Sequence, residues 1–83
     1  MPDDEQLLQS QWGERLRARR LALGLSQYDL APAAEISVPY LSLLERGVNN
    51  PGNGVRMRLA AALGTTVEDL FPYPPAEPER AAS

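Results

Sequence analysis

The chain has 83 residues, enough for one small domain, with a formal net charge of −3 and neither cysteine nor histidine. These absences exclude a disulfide framework, the usual zinc ligands and the bases of common hydrolases, so we expect a cytoplasmic protein without metal, cofactor or enzymatic activity. No apolar run approaches the ~18 residues that a membrane span needs, and the acidic N-terminus is unlike a signal peptide.

The two ends of the chain differ in composition from the middle. Residues 1–6 are polar and acidic, and residues 72–83 hold four of the eight prolines. Neither segment has a periodic apolar face. We therefore predict an acidic, disordered N-terminal tail over 1–6, one domain over 7–71, and a Pro-rich disordered tail over 72–83.

Apolar residues recur at helical spacing throughout the predicted domain, and no segment alternates as a strand would. Serine or threonine caps precede the second, third and fifth helices, and glycine follows the first, third and fourth. The sequence thus predicts an all-α domain. The predicted helices are residues 7–23, 27–34, 38–45, 55–63 and a short fifth one that begins after Thr66.

The second and third predicted helices are joined by only about three residues, Glu35 to Ser37. A connection this short forces a steep crossing, the geometry of a helix-turn-helix, in which the second helix of the pair can enter a DNA major groove. Short helical hairpins also occur in proteins that bind no DNA. The geometry alone therefore does not assign a function.

Segments spread over about residues 12–71 resemble the Cro/CI-type (Xre-family) helix-turn-helix domain. They are LRARR (16–20), GLSQ (24–27), Leu30-Ala31, Ile36-Ser37, Tyr40-Leu41-Ser42, LERG (44–47), Pro51, RLA (58–60) and ALGTTVEDLF (62–71). The resemblance implies a compact five-helix, lambda-repressor-like fold and sequence-specific binding of double-stranded DNA. It also implies a repressor-like transcriptional regulator acting as a homodimer, with no membrane or small-molecule partner evident. The candidate dimer contacts are Trp12, Leu70, Phe71 and Tyr73.

The resemblance places the base-reading positions at the start and along one side of the third helix. They are Ser37, Val38, Pro39, Ser42 and Leu43. This set has no Arg, Asn or Gln, so it cannot make the bidentate contacts that distinguish guanine or adenine. Its apolar members would contact thymine methyls, and its serines would supply single hydrogen bonds. Alternatively, the apolar residues face a protein, and the chain is an interaction module such as an antirepressor or antitoxin-like partner.

Residues around the third helix are the candidates for phosphate contacts. In similar proteins the glutamine matching Gln27 clamps the DNA backbone, beside helix-end amides that also point outward; otherwise it is a solvated first-turn residue. The arginine matching Arg20 pairs in the family with the glutamate matching Glu45, which ties the first helix to the third. The phosphate candidates are Gln27, Arg19, Tyr40, Arg46, Asn49, Asn50 and Arg56.

Four positions depart from the family pattern. Glu35 replaces a turn glycine, at a cost of about 1 kcal/mol or more if its φ is positive. Pro32 lies beyond the first turn of the second helix, and we expect it to remove one helical bond and distort the helix, at about 3 kcal/mol if unrelieved. Asn53 and Arg56 occupy positions that are often apolar in related sequences.

The negative net charge, which by itself argues against nucleic acid as a partner, belongs to the ends of the chain. Residues 6–76 hold seven arginines and six acidic residues, a net charge of +1, whereas the remaining residues carry −4. The predicted domain is thus slightly basic. Acidity of the whole chain does not exclude DNA, but it predicts weak non-specific binding.

Overall fold

The structure is a computed structural model that describes residues 3–74. These residues form five helices without a strand, so the predicted all-α fold is confirmed. The helices are α1 (Asp4–Ala22), α2 (Gln27–Ala33), α3 (Val38–Glu45), α4 (Asn53–Ala62) and α5 (Val67–Leu70). No helix within 3–74 is long and apolar enough to cross a membrane. Most of the predicted Pro-rich tail, residues 75–83, lies outside the described residues.

Helix α1 begins at Asp4, three residues earlier than predicted. Asp3 caps it: its carboxylate accepts from the amide of Gln6 at 2.8 Å, and the side chain of Gln6 accepts from the amide of Asp3 at 3.4 Å. Such a capping box satisfies amides that a helix start leaves without partners, and acidic residues in the first turn favour the helix dipole. Residues 4–6 of the predicted acidic tail therefore belong to α1 and Asp3 caps it, so the prediction of a disordered tail was wrong for these residues.

The starts of α2, α3 and α5 are capped at the predicted residues. The hydroxyl of Ser26 accepts from the amide of Asp29 at 3.0 Å, and the carboxylate of Asp29 accepts from the amide of Ser26 at 2.9 Å. Ser37 caps α3 and Thr66 caps α5, each accepting from the amide three residues later at 3.1 Å. Ser26 and Ser37 cap the two helices of the predicted helix-turn-helix, so both helices of the pair have fixed starting points.

Helix α2 ends in a left-handed turn at Glu35, whose φ is 59°. The amide of Ile36 donates to the carbonyl of Ala31 at 3.0 Å, and that of Glu35 donates to the carbonyl of Pro32 at 3.0 Å. This bond pattern is a Schellman motif, which usually has glycine at the left-handed position. Pro32 costs α2 one amide donor, yet the helix continues through Ala33, so the expected distortion does not interrupt it.

Helix α4 begins at Asn53, two residues earlier than predicted, and has no side chain capping its start. Gly52 is the N-cap residue and Gly54 lies in the first turn. The side chain of Asn53 instead accepts a hydrogen bond from Arg56 one turn later. The two departures from the family pattern in this helix thus interact with each other.

The core is built on leucines from α1 to α5 and on an aromatic pair. The rings of Trp12 and Phe71 meet edge to face, with centroids 5.4 Å apart. The indole N–H of Trp12 also donates to the carbonyl of Pro72 at 2.8 Å. Pro72, predicted to be the first residue of the tail, is therefore held against α1. Gly13 allows α3 to approach α1 closely, because a Cβ there would lie 2.6 Å from the carbonyl oxygens of Leu44 and Glu45.

Candidate DNA-binding interface

A buried ion pair joins the end of α1 to the end of α3. Nε of Arg20 donates to Oε2 of Glu45 at 2.7 Å, and Nη2 donates to Oε1 at 2.9 Å; both residues are 7% exposed. Hydrogen bonding to Glu45 raises the pKa of the Arg20 guanidinium above its ordinary value. Nη1 of Arg20 also donates to the carbonyl of Leu25 at 2.8 Å, in the loop that leads to α2. The structure thus contains the pair that the family resemblance implied, and the pair fixes α1, α3 and this loop together.

Gln27, the first residue of α2, joins the same network. Its side-chain amide donates to Oε1 of Glu45 at 3.1 Å. This bond uses one of the two amide hydrogens and orients the side chain, so the other hydrogen can donate to a phosphate oxygen. The predicted phosphate-contacting glutamine is therefore held by the buried carboxylate that also positions α3.

Three of the predicted base-reading residues project from the side of α3 opposite its buried leucines. Pro39 is exposed, while Ser42 and Leu43 are half-buried; Leu41 and Leu44 face the core. The face that the three residues present to solvent is uncharged and largely apolar. It carries none of the bidentate donors or acceptors that read guanine or adenine.

The other two base-reading candidates lie at the beginning of α3. Val38 is half-buried and packs partly against the core, so only part of its side chain faces outward. The oxygen of Ser37 accepts from the amide of Tyr40, which leaves its hydroxyl hydrogen able to donate elsewhere. The structure therefore brings all five candidates together at one end and one side of α3, with unequal exposure.

Several arginines bind backbone carbonyls at helix ends instead of facing α3. Arg19 donates to the carbonyl of Leu63 at 3.0 and 3.2 Å, and to that of Gly64 at 3.5 Å. Arg15 donates to the carbonyl of Asp69, at the end of α5. Arginine side chains commonly satisfy the last carbonyls of a helix in this way. The geometry gives Arg19 an intramolecular role, and it does not support the predicted phosphate contact.

Arg56 also has an intramolecular position. Its guanidinium carbon lies 5.0 Å from the centroid of the Trp12 ring, a cation–π arrangement, and its side chain lines a surface cavity beside α5. Its Nε is buried and has no hydrogen-bond partner within residues 3–74. We conclude that the predicted phosphate contact of Arg56 conflicts with where its side chain lies.

The remaining phosphate candidates surround the second half of α3 and the loop after it. Arg46, the C-cap of α3, is exposed, and Asn49 is half-buried. Tyr40 is half-buried and packs against the core along one side. Asn50 borders a cavity that it shares with the acidic first turn of α1, where negative charge opposes a phosphate. A contact with a DNA phosphate is thus compatible with the positions of Arg46, Asn49 and Tyr40. Asn50 is poorly placed for such a contact.

Arg58, for which the sequence predicts no role, reaches the helix-turn-helix from α4. Its Nε donates to the carbonyl of Ala34 at 2.9 Å. Ala34 is the C-cap of α2, directly before the left-handed turn. The RLA segment at 58–60 marked Arg58 as typical of the family, but the spacing of residues along the chain could not indicate its partner.

The comparisons with known proteins agree with this geometry. Residues 16–70 match the helix-turn-helix family, and the chain belongs to that family, in its Cro/CI-type (Xre) form. It is therefore a helix-turn-helix domain of the kind that DNA-binding transcriptional regulators use.

Individual relatives support the same class. The chain is 54% identical over 58 residues to the HTH-type transcriptional regulator DdrOP3 of Deinococcus deserti, a match that covers 70% of this chain and 45% of that protein. The chain thus spans less than half of the length of this relative. In fold it resembles the clp gene regulator ClgR from Corynebacterium glutamicum, with a TM-score of 0.74 and 35% identity over 76% of this chain and 67% of that one. It also resembles the restriction-modification controller protein C.AhdI from Aeromonas hydrophila, with a TM-score of 0.72 and 37% identity over 75% and 94% of the two chains.

Proposed function

We propose that this chain binds double-stranded DNA sequence-specifically, with α3 in the major groove, and acts as a repressor-like transcriptional regulator in the cytoplasm. The observation that carries the proposal is the network of Arg20, Glu45 and Gln27. It fixes α2 and α3 relative to α1 and leaves one side of α3 facing solvent. A preorganised helix is what groove binding requires, because a mobile one would lose conformational entropy on binding.

Each residue around α3 has a proposed role in this complex. Phosphate contacts, which set register and orientation, come from residues at both ends of the helix pair. Contacts to base edges come from the exposed side and the start of α3. The phosphate residues are Gln27, Tyr40, Arg46 and Asn49. The base-reading residues are Ser37, Val38, Pro39, Ser42 and Leu43.

We also propose that two copies bind a pseudo-palindromic operator, with their α3 helices about 34 Å apart. Of the predicted dimer contacts, Trp12, Leu70 and Phe71 are buried in the core of one copy and are unavailable to a partner. Tyr73 is 77% exposed and lies three residues after the end of α5. It is the predicted dimer contact that stays open to a second copy.

Binding-site selection tests the proposal most directly. The 83-residue chain is incubated with a random pool of duplex DNA, bound DNA is sequenced, and the affinity for the enriched site is measured by fluorescence anisotropy at several salt concentrations. We expect one enriched motif and a steep fall of log affinity with log salt. Arg46→Ala should reduce that slope by about 1, whereas Arg17→Ala, which removes an exposed arginine from α1, should leave it unchanged. Failure to enrich any sequence would sink the proposal.

The uncharged, apolar side of α3 favours one other candidate function, an interaction module that binds a protein through this face. Val38→Asn and Leu43→Gln separate the two functions. In a DNA-binding regulator these changes alter which operator is selected, because they replace apolar contacts with hydrogen-bonding groups. In an interaction module these changes abolish a protein complex. Such a module selects no DNA sequence, so there is no operator preference for the changes to alter.

A further inference from the structure

The outward side of α3 can recognise methyl groups but has few ways to recognise anything else. Pro39 and Leu43 present only hydrocarbon, and Val38 exposes part of an isopropyl group. In the major groove, the C5-methyl of thymine is the apolar feature of the base edges. The one polar side chain on this side, Ser42, ends in a hydroxyl that both donates and accepts.

These side chains should respond to the methyl group and hardly to the atom beside it. Thymine has an acceptor, O4, next to its methyl, whereas 5-methylcytosine has a donor, the N4 amino group, next to the same methyl. A hydroxyl can pair with either one by rotating. Discriminating the two bases requires a fixed donor or acceptor, and the side of α3 formed by Pro39, Ser42 and Leu43 has none.

The start of α3 is rigid, which makes methyl contacts geometrically selective. Pro39 has a fixed φ and lies in the first turn, where proline does not disturb a helix. Val38 is stiff at χ1 because it is β-branched. The Ser37 cap and the buried Glu45 hold the two ends of the helix. Because Val38 and Pro39 cannot shift to follow it, a methyl group in the wrong position loses contact with these side chains.

We propose that α3 reads C5-methyl groups in the major groove. At the positions contacted by Val38, Pro39 and Leu43, the protein then accepts 5-methylcytosine as well as thymine. The inference rests on the proposed DNA-binding function and deepens it. It makes cytosine-methylated duplex DNA a ligand class for this surface. Cytosine methylation at such a position would then raise the affinity of the site several-fold.

The experiment uses the operator obtained by selection and changes only the DNA. Each thymine is replaced singly by deoxyuridine, which lacks the methyl and keeps the same hydrogen-bonding groups. We expect a loss of about threefold to fourfold in affinity at each contacted position, the value of one buried methyl at about 0.8 kcal/mol. At the same positions, a 5-methylcytosine–guanine pair should bind several-fold more tightly than an unmethylated cytosine–guanine pair.

One protein variant links the effect to α3. Leu43→Ala should remove the deoxyuridine effect at one position and leave the others, because only one methyl loses its contact. The matched control is Leu21→Ala, a leucine on α1 that is 50% exposed, which should preserve every effect.

The outcomes separate the two proposals. If a motif is enriched but deoxyuridine changes affinity at no position, or if methylated cytosine binds no better than cytosine, the methyl-reading inference is wrong and DNA binding stands. If no motif is enriched, the proposed function itself is wrong and the inference falls with it.

Discussion

Arg58 on α4 donates a 2.9 Å hydrogen bond to the carbonyl oxygen of Ala34, the C-cap of α2. The guanidinium lies beside Gly54, where a Cβ would approach Nη1 to 3.2 Å. The residue after Ala34 takes the left-handed conformation that turns the chain into α3. Thus α4, which lies outside the helix-turn-helix, braces the turn from which α3 departs.

Arg58→Ala should lower the free energy of unfolding by about 1 to 2 kcal/mol, because it removes a hydrogen bond from a charged donor and leaves a helix-end carbonyl without that partner. Urea denaturation followed by circular dichroism measures this change. Arg17→Ala is the matched control, since Arg17 is exposed on α1, and it should change the free energy by less than about 0.5 kcal/mol. Equal effects of the two variants would show that the Arg58 bond does not brace the turn.

Glu35 occupies a position that glycine occupies at the ends of three other helices. Gly24, Gly47 and Gly64 have φ values of 71°, 74° and 67°, and Glu35 has 59°. All four follow a helix and precede an amide that closes the same bond pattern. The left-handed conformation costs a residue with a Cβ roughly 1 to 2 kcal/mol.

Glu35→Gly should therefore stabilise the domain by about 1 kcal/mol, which raises the melting temperature of a domain of this size by about 4 to 8 °C. Thermal denaturation at constant pH gives the measurement. Glu35→Ala is the control: it removes the same charge and keeps the Cβ. If the alanine variant gained as much as the glycine variant, charge and not backbone strain would be the cause.

The helix order and most helix boundaries could be predicted because the signals are local. Ser26, Ser37 and Thr66 cap the helices that follow them, and their partners lie only three residues away. The start of α1 was missed because a run of acidic residues resembles a tail in composition. The same run, headed by Asp3, is also a good first turn.

The roles of the arginines could not be predicted in the same way, because they depend on contacts between distant parts of the chain. Arg19 binds carbonyls at Leu63 and Gly64, and Arg56 lies over Trp12, 44 positions away in sequence. Nothing near either arginine indicates such a partner. The family resemblance predicts the Arg20–Glu45 pair that the structure contains, whereas charge and spacing alone allow a DNA contact as well.

The Asp29 carboxylate makes the stability of the domain depend on pH. The pKa of this carboxylate lies below its ordinary value near 3.8, mainly because of its hydrogen bond with the backbone amide of Ser26. A hydrogen bond with the side chain of Ser26 lowers the pKa further. Because the folded-state pKa lies below that of the unfolded chain, the interaction stabilises the fold fully above the unfolded value. Its contribution is lost as the pH falls through the folded-state pKa.

Asp29→Asn should therefore lower the melting temperature at neutral pH and converge with the unaltered chain in acid. A series of melting curves from neutral pH to below the ordinary pKa of aspartate measures this. Glu14→Gln, which removes an exposed carboxylate from α1, serves as the control for net charge. A difference between Asp29→Asn and the unaltered chain that persisted undiminished at the lowest pH would contradict the assignment.

The Arg20–Glu45 pair should behave as a unit. Either residue changed to alanine leaves a buried charge without its partner, and we expect a loss of about 3 to 5 kcal/mol in each case. That is a large fraction of the stability of a small domain, typically about 5 to 15 kcal/mol, so the measurement requires urea denaturation at low temperature. Changing both residues together, Arg20→Met with Glu45→Leu, removes both charges and retains apolar volume.

The double variant should therefore be more stable than either single alanine variant, because removing both charges also removes their desolvation cost. It should nevertheless bind the selected operator less tightly than the unaltered chain, since Gln27 then loses the carboxylate that orients its amide. Because Glu45→Ala and the double variant both lack this carboxylate, the folded forms of the two variants should bind the operator with similar affinity although they differ in stability. A double variant that regained full affinity would show that the pair supports the fold alone and that Gln27 needs no buried carboxylate to contact a phosphate.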